Sequence, residues 1–186
     1  MQAPKFWYRS RSWQAVLLSP LGALYAWATA RRQKHASPSK MDVPVICIGN
    51  LNVGGTGKTP TTIALAQLLT SRGVAVHIVS RGYGGSLTAV TQVDPRIHTA
   101  DETGDEPLLM AAFAPTWVAS ERIAGARAAQ SAGADVILLD DGFQDPSLTK
   151  DLTIVVLDAA RGFGNGLCLP AGTTLPTRNN KLRRFF

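Results

Sequence analysis

The chain has 186 residues, 45% of them apolar and 17% charged, with 19 Lys and Arg against 13 Asp and Glu. That composition excludes wholesale disorder, and the length suits one domain, or one domain and a piece of another. Two cysteines (Cys47, Cys168) and three histidines (His35, His77, His98) fall in no paired or clustered spacing, which speaks against a disulfide scaffold or a zinc site and fits a reducing compartment.

Charge is unevenly spread. Residues 1–40 hold seven cations (Lys5, Arg9, Arg11, Arg31, Arg32, Lys34, Lys40) and no acid, and residues 178–186 hold four more. The stretch 41–177 carries eight cations and thirteen acids. An acidic body with basic ends is a poor nucleic-acid binder, so no nucleic-acid partner is expected. Cations around an apolar segment point to an anionic membrane surface.

That segment runs from Trp13 to Ala30 without a charge. As a straight helix it would reach about 27 Å, just short of the roughly 30 Å of a bilayer core. Pro20 and Gly22 are expected to interrupt it. Three readings stand: an interfacial or shallowly inserted anchor with Arg31 and Arg32 facing lipid, a secretory signal ending at Ala28-Thr29-Ala30, or a helix buried on the body. A cytosolic nucleotide motif downstream argues against secretion. Ser, Pro and Lys over His35 to Asp42 read as a linker.

Regular patterning follows. Val43 to Ile48 reads as a buried strand, and helical spacing through Ile63, Ala64, Leu65, Leu68 and Leu69 stops near Gly73. Val74 to Val79 is a second strand, and Leu87 to Val93 alternates like a third. Pro107 to Phe113 reads as helix and Thr116 to Ala119 as strand, with Ser120 placed to cap a helix running to Ser131. Val136 to Leu139 and Leu152 to Leu157 are further strands. Strands alternating with helices predict an α/β fold: a mostly parallel sheet with helices on both faces. The expected organisation is a basic, apolar segment with its linker over 1–40, a nucleotide-binding lobe over 41–172, and a tail over 173–186.

The turn after the first strand reads Asn52-Val53-Gly54-Gly55-Thr56-Gly57-Lys58-Thr59, one residue away from the phosphate-loop pattern, with Asn52 in the first glycine position. Glycines let main-chain N–H groups turn inward onto phosphate oxygens, and a helix opening at Lys58 adds its positive end. Lys58 reaches the β/γ-phosphates in such loops, and the Thr59 hydroxyl binds Mg²⁺. Pro60 fits the first helical turn. The apolar run Val136 to Leu139 ends in Asp140 and Asp141, the strand-end carboxylates that a nucleotide–metal site requires. Both motifs meet at the carboxyl ends of parallel strands, where ligands sit in such sheets.

Further segments narrow the chemistry: Gly49-Asn50 ahead of the loop, Ser80-Arg81-Gly82-Tyr83-Gly84-Gly85, Gly104-Asp105-Glu106-Pro107, Asp140-Asp141-Gly142-Phe143-Gln144, Arg161-Gly162-Phe163-Gly164-Asn165-Gly166 and Leu169-Pro170-Ala171-Gly172. Together, in this order over about residues 10–172, they resemble the tetraacyldisaccharide 4'-kinase family of lipid A biosynthesis. The resemblance implies a P-loop kinase on the cytosolic face of the bacterial inner membrane. With Mg²⁺, it would move the γ-phosphate of ATP to the 4'-hydroxyl of a lipid disaccharide. It also implies residue roles. Asp105 matches the base that accepts the sugar hydroxyl proton, Glu106 lies beside the metal region, and Asp140 and Asp141 hold Mg²⁺. Gln144 is a polar contact near the phosphates, and Arg81 steadies phosphate or transition-state charge. Asp105 and Glu106 also suit a plain helix start, and Arg81 an ordinary surface cation at a strand end.

The chain departs from the family in places. Asp145 stands where many members have His, no His follows His98 to pair with Asp105, and residues 173–186 do not match the Gly-Pro-Leu-Arg-type continuation. Nucleotide binding is expected to survive these departures and lipid kinase activity to be weak or lost, the alternative being a P-loop ATP-binding module or ATPase without lipid kinase activity.

Overall fold

A computed structural model describes residues 4–9, 12–50, 57–160 and 162–174. The phosphate-loop residues Asn52, Val53, Gly54, Gly55 and Thr56, together with Arg161 and the tail from Leu175, lie outside them. The chain forms two compact units, one of which comprises Ser37–Gly49 and Gly57–Val155. The other is built from the described residues within 1–36 and 156–174, with Asn50. The segment after Val155 thus groups with the N-terminal residues.

The larger unit holds a six-stranded sheet: β1 (Val45–Gly49), β2 (Val76–Ser80), β3 (Thr91–Gln92), β4 (Thr116–Val118), β5 (Val136–Asp140) and β6 (Leu152–Val155), in the order β3-β4-β2-β5-β1-β6. All neighbours run parallel except β3, which pairs antiparallel with β4. The central strands are apolar without alternation, as strands covered on both faces must be. Val45, Cys47, Val79, Ile137 and Leu139 form one face with Ala126 and Ala129 of helix α5 (Arg122–Ser131). Ile48, Ile78 and Leu138, fully buried, alternate to the other face. Helix α2 (Lys58–Thr70) packs on the same three central strands and against α4 (Asp105–Ala111).

Two expected elements differ. Between Leu87 and Val93 only Thr91 and Gln92 join the sheet, because Ser86 and Leu87 donate their amides to the Asp101 and Glu102 carbonyls at 3.0 and 2.9 Å. Those two carbonyls belong to a short helix, α3 (Ala100–Thr103), which carries a Thr99–Glu102 capping box. Ser120 does not cap α5; its hydroxyl donates to the Thr88 carbonyl at 3.1 Å, and Glu121 occupies the N-cap.

In the smaller unit, helix α1 spans Trp13–Lys34 without interruption, contrary to the break expected at Pro20 and Gly22. Pro20 has no N–H to give the Val16 carbonyl, and the Ser19 hydroxyl donates to that oxygen instead, at 2.8 Å. Gly22 marks a close approach: a Cβ there would stand 2.8 Å from the Cys168 carbonyl oxygen. Ala15, Gly22, Thr29 and Gln33 are buried, whereas Trp13, Val16, Leu17, Leu21, Leu24 and Trp27 are exposed. The Arg31 guanidinium lies 5.7 Å from the Trp27 ring centre. A 3-10 turn at Lys5–Tyr8 precedes α1, and the Trp7 indole N–H donates to the Pro170 carbonyl at 3.0 Å. Among the described residues no helix is long and apolar enough to cross a membrane.

Candidate nucleotide site

Strand order fixes the site. Because β5 lies between β1 and β2, the carboxyl ends of all three converge at a topological switch point. The register pairs Ile48 with Asp140 and Val79 with Leu139, so Ser80 and Asp140 come side by side. The Ser80 hydroxyl donates to Asp140 Oδ2 at 3.2 Å. Asp140 is 2% exposed, and its Oδ1 is buried without a hydrogen-bond partner among the described residues. Burial pushes its carboxyl up to about 6, and the Glu106 and Asp141 carboxylates add to that push while the Lys58 ammonium opposes it. A buried acceptor with no donor is costly unless a cation satisfies it.

Lys58 opens α2 behind Gly57, whose φ of +85° turns the chain into the helix. Lys58 Nζ meets Asp141 Oδ1 at 2.8 Å. Asp141 itself has φ +53°, the one positive-φ non-glycine among the described residues. Thr59 is buried in the first turn of α2, next to Lys58 in the chain. The structure thus brings Lys58 and Asp141 into contact next to Asp140, with Thr59 following Lys58 in the first turn of α2.

Asp105 and Glu106 form the first turn of α4 and are exposed. They are held from behind by the Arg81–Gly85 segment. A Cβ on Gly85 would stand 2.5 Å from the Glu102 carbonyl oxygen, and one on Gly104, at φ +90°, 2.7 Å from the Tyr83 carbonyl oxygen. Gly82 and Gly85 thus permit backbone-on-backbone packing against the residues preceding Asp105. Arg81 is exposed and forms no ion pair among the described residues. Gln144 is half-buried, with Nε2 unpartnered among the described residues.

Sequence reasoning missed Ser80, Arg122 and Lys150. Arg122 donates to the Asp141 carbonyl at 2.7 Å and to Asp145 Oδ2 at 3.3 Å, and Lys150 Nζ donates to the Asp145 and Phe143 carbonyls at 2.6 and 3.3 Å. One signal was present: a cation in the first turn of a helix is disfavoured by the helix dipole, so Arg122 needed a specific partner.

Among the described residues no three His, Cys, Asp or Glu side chains cluster into a protein-only metal cage. Mg²⁺ typically takes one or two carboxylates and completes its shell with phosphates and water. The orphaned Asp140 Oδ1 and the strand-end pair fit such a half-site.

The family model of tetraacyldisaccharide-1-P 4'-kinase matches residues 14–184. The chain belongs to this kinase family. It is 61% identical over 175 residues to the tetraacyldisaccharide 4'-kinase of Dinoroseobacter shibae, covering 92% of this chain and 52% of that one. The enzyme of the same name from a Jannaschia species is 59% identical over 172 residues, with 92% and 52% covered. The crystal structure of LpxK from Aquifex aeolicus in complex with ATP superposes with a TM-score of 0.75 at 32% identity, covering 91% of this chain and 56% of that one. The chain spans about half the length of the curated relatives it matches. For a member of the tetraacyldisaccharide 4'-kinase family, the mostly parallel α/β fold read from the sequence is the fold observed.

Proposed function

We propose that the chain binds Mg-ATP at the ends of β1, β5 and β2. There it serves transfer of the γ-phosphate to the 4'-hydroxyl of a tetraacyldisaccharide 1-phosphate, at the cytosolic face of the inner membrane, a transfer that its departures from the family pattern weaken while nucleotide binding is kept. The observation that carries this reading is the Lys58–Asp141 ion pair beside the unpartnered Asp140 oxygen. Two opposite charges sit where a triphosphate and its metal would replace each of them with a better partner. The Aquifex protein was crystallised as a complex with ATP, which supports the choice of nucleotide.

In this reading, the loop residues Asn52 to Thr59 bind the phosphates, and Lys58 leaves Asp141 to neutralise the β/γ oxygens. Thr59, Asp140 and Asp141 hold Mg²⁺, with Glu106 alongside and Gln144 contacting the phosphates. Bound Mg²⁺ supplies charge neutralisation on the transferring group. Asp105 takes the proton of the sugar hydroxyl as that oxygen bonds to the γ-phosphorus and the bond to ADP breaks. Arg81 balances charge as it spreads over the phosphoryl oxygens.

Helix α1 lies in the interface of an anionic bilayer. Its exposed face carries Trp13, Val16, Leu17, Leu21, Leu24 and Trp27, and Arg31 and Arg32 follow one turn on. An apolar stripe left facing outward marks an interaction surface.

Calorimetry tests the core of the proposal. Wild-type chain takes up Mg-ATP, and Lys58→Ala loses binding by at least about tenfold, the loss expected for one charge-assisted contact. Undiminished uptake by Lys58→Ala rejects the site.

A further inference from the structure

The turn Asp141–Asp145 is fastened by side chains rather than by the sheet. Asp141 N–H still reaches the Ile48 carbonyl at 2.9 Å, extending β5 by one bond. Beyond that, the carbonyls turn away from any strand and meet two cations. Arg122 Nη2 donates to the Asp141 carbonyl at 2.7 Å, with the Asp140 carbonyl at 3.5 Å. Arg122 Nη1 donates to Asp145 Oδ2 at 3.3 Å, and Asp145 Oδ1 accepts the Ser147 N–H at 2.9 Å. Lys150 holds the Phe143 and Asp145 carbonyls. Arg122 is 8% exposed, far from the usual state of a surface arginine. It stands at the first position of α5, where the dipole opposes a cation. Solvation cannot explain a buried guanidinium at that place; the carbonyl ends of Asp140 and Asp141 can.

We infer that Arg122, oriented by Asp145, is a positioning residue for the metal-binding carboxylates. By gripping the Asp141 carbonyl it holds that residue at φ +53°, the backbone setting that aims its carboxylate at Lys58. By fixing the end of β5 it keeps the unpartnered Asp140 oxygen facing the same space. Arg122 acts through the backbone of the two aspartates, whose carbonyls it holds. The inference rests on the Mg-ATP site proposed above.

The test compares ATP affinity of the 186-residue chain in EDTA with that in excess MgCl₂, by calorimetry. Wild type binds more tightly with Mg²⁺. Arg122→Lys and Arg122→Gln lose about tenfold or more of that Mg²⁺-dependent gain, the usual cost of removing a group that orients metal ligands. Their affinity in EDTA stays within about twofold of wild type or rises, since a loosened Asp141 releases Lys58 to phosphate. Asp145→Asn loses a smaller share of the gain. In an Asp141→Asn background, Arg122→Gln adds nothing, because coupled residues do not add. Thermal melts establish which variants fold, and Asp145→Asn carries the test if Arg122→Gln does not. Equal weakening with and without Mg²⁺ would make Arg122 a merely structural residue and overturn the inference, as would an intact gain in the folded variants. Wild-type chain that binds no ATP in either buffer overturns the nucleotide site and this inference with it.

Discussion

Asp141 holds Lys58 much as a phosphate would. The side chains are 15% and 53% exposed, so water and salt screen much of the attraction. Replacing Asp141 with Asn frees the ammonium and removes a like charge from the phosphates. ATP affinity in EDTA is expected to rise about two- to fivefold, the worth of a half-screened pair, while the Mg²⁺-dependent gain falls. Calorimetry in both buffers reads this, and a drop in EDTA would show that Asp141 does not compete for Lys58. Its neighbour Asp140 behaves oppositely. Its folded carboxyl, up at about 6, holds a proton more tightly than the ordinary carboxylate of the unfolded chain. The folded state therefore binds the extra proton, and this group's stabilisation is fully present below the ordinary carboxylate value. It is lost as pH rises to about 6, a loss on the order of 2–3 kcal/mol. Asp140→Asn should flatten that slope and raise the urea midpoint of ligand-free protein at about pH 7.5, above both values. An unchanged pH slope would dismiss the idea.

Helices and strands divide by how much of their cause is local. The phosphate-loop lysine and the strand-end acids were legible because they sit at the boundaries of apolar runs, and β1, β5 and α2 lie close to where periodicity placed them. Arg122 and Lys150 were not, because their partners lie on a turn the sequence could only mark as a gap between strands. The same holds for α1. Its uncharged length was visible, but its continuity through Pro20 depends on one serine hydroxyl meeting one carbonyl. Which face looks outward depends on the approach of Gly22 to Cys168. If the exposed face meets lipid, Leu17→Glu with Leu24→Glu should weaken binding to anionic vesicles by more than about tenfold, since each leucine removed from the interface loses about 1.5–3 kcal/mol. Co-sedimentation with phosphatidylglycerol vesicles measures it, and binding equal to wild type would assign the stripe elsewhere.

Across the whole chain, the sheet places its most important neighbours far apart in sequence. Val45 pairs with Ile137, and His77 with Ile137 from the other side. The strand that unites β1 and β2 is the fifth to be made. On a translating ribosome, β1 and β2 emerge early as apolar ribbons with no common partner, and the edge of β1 stays open until some ninety residues more have been synthesised. Insertion of β5 then closes the middle of the sheet and brings Asp140 to its place in one event. A nascent chain halted before that strand would hold sticky, half-built sheet and no nucleotide pocket, so birth of the fold and birth of the site coincide.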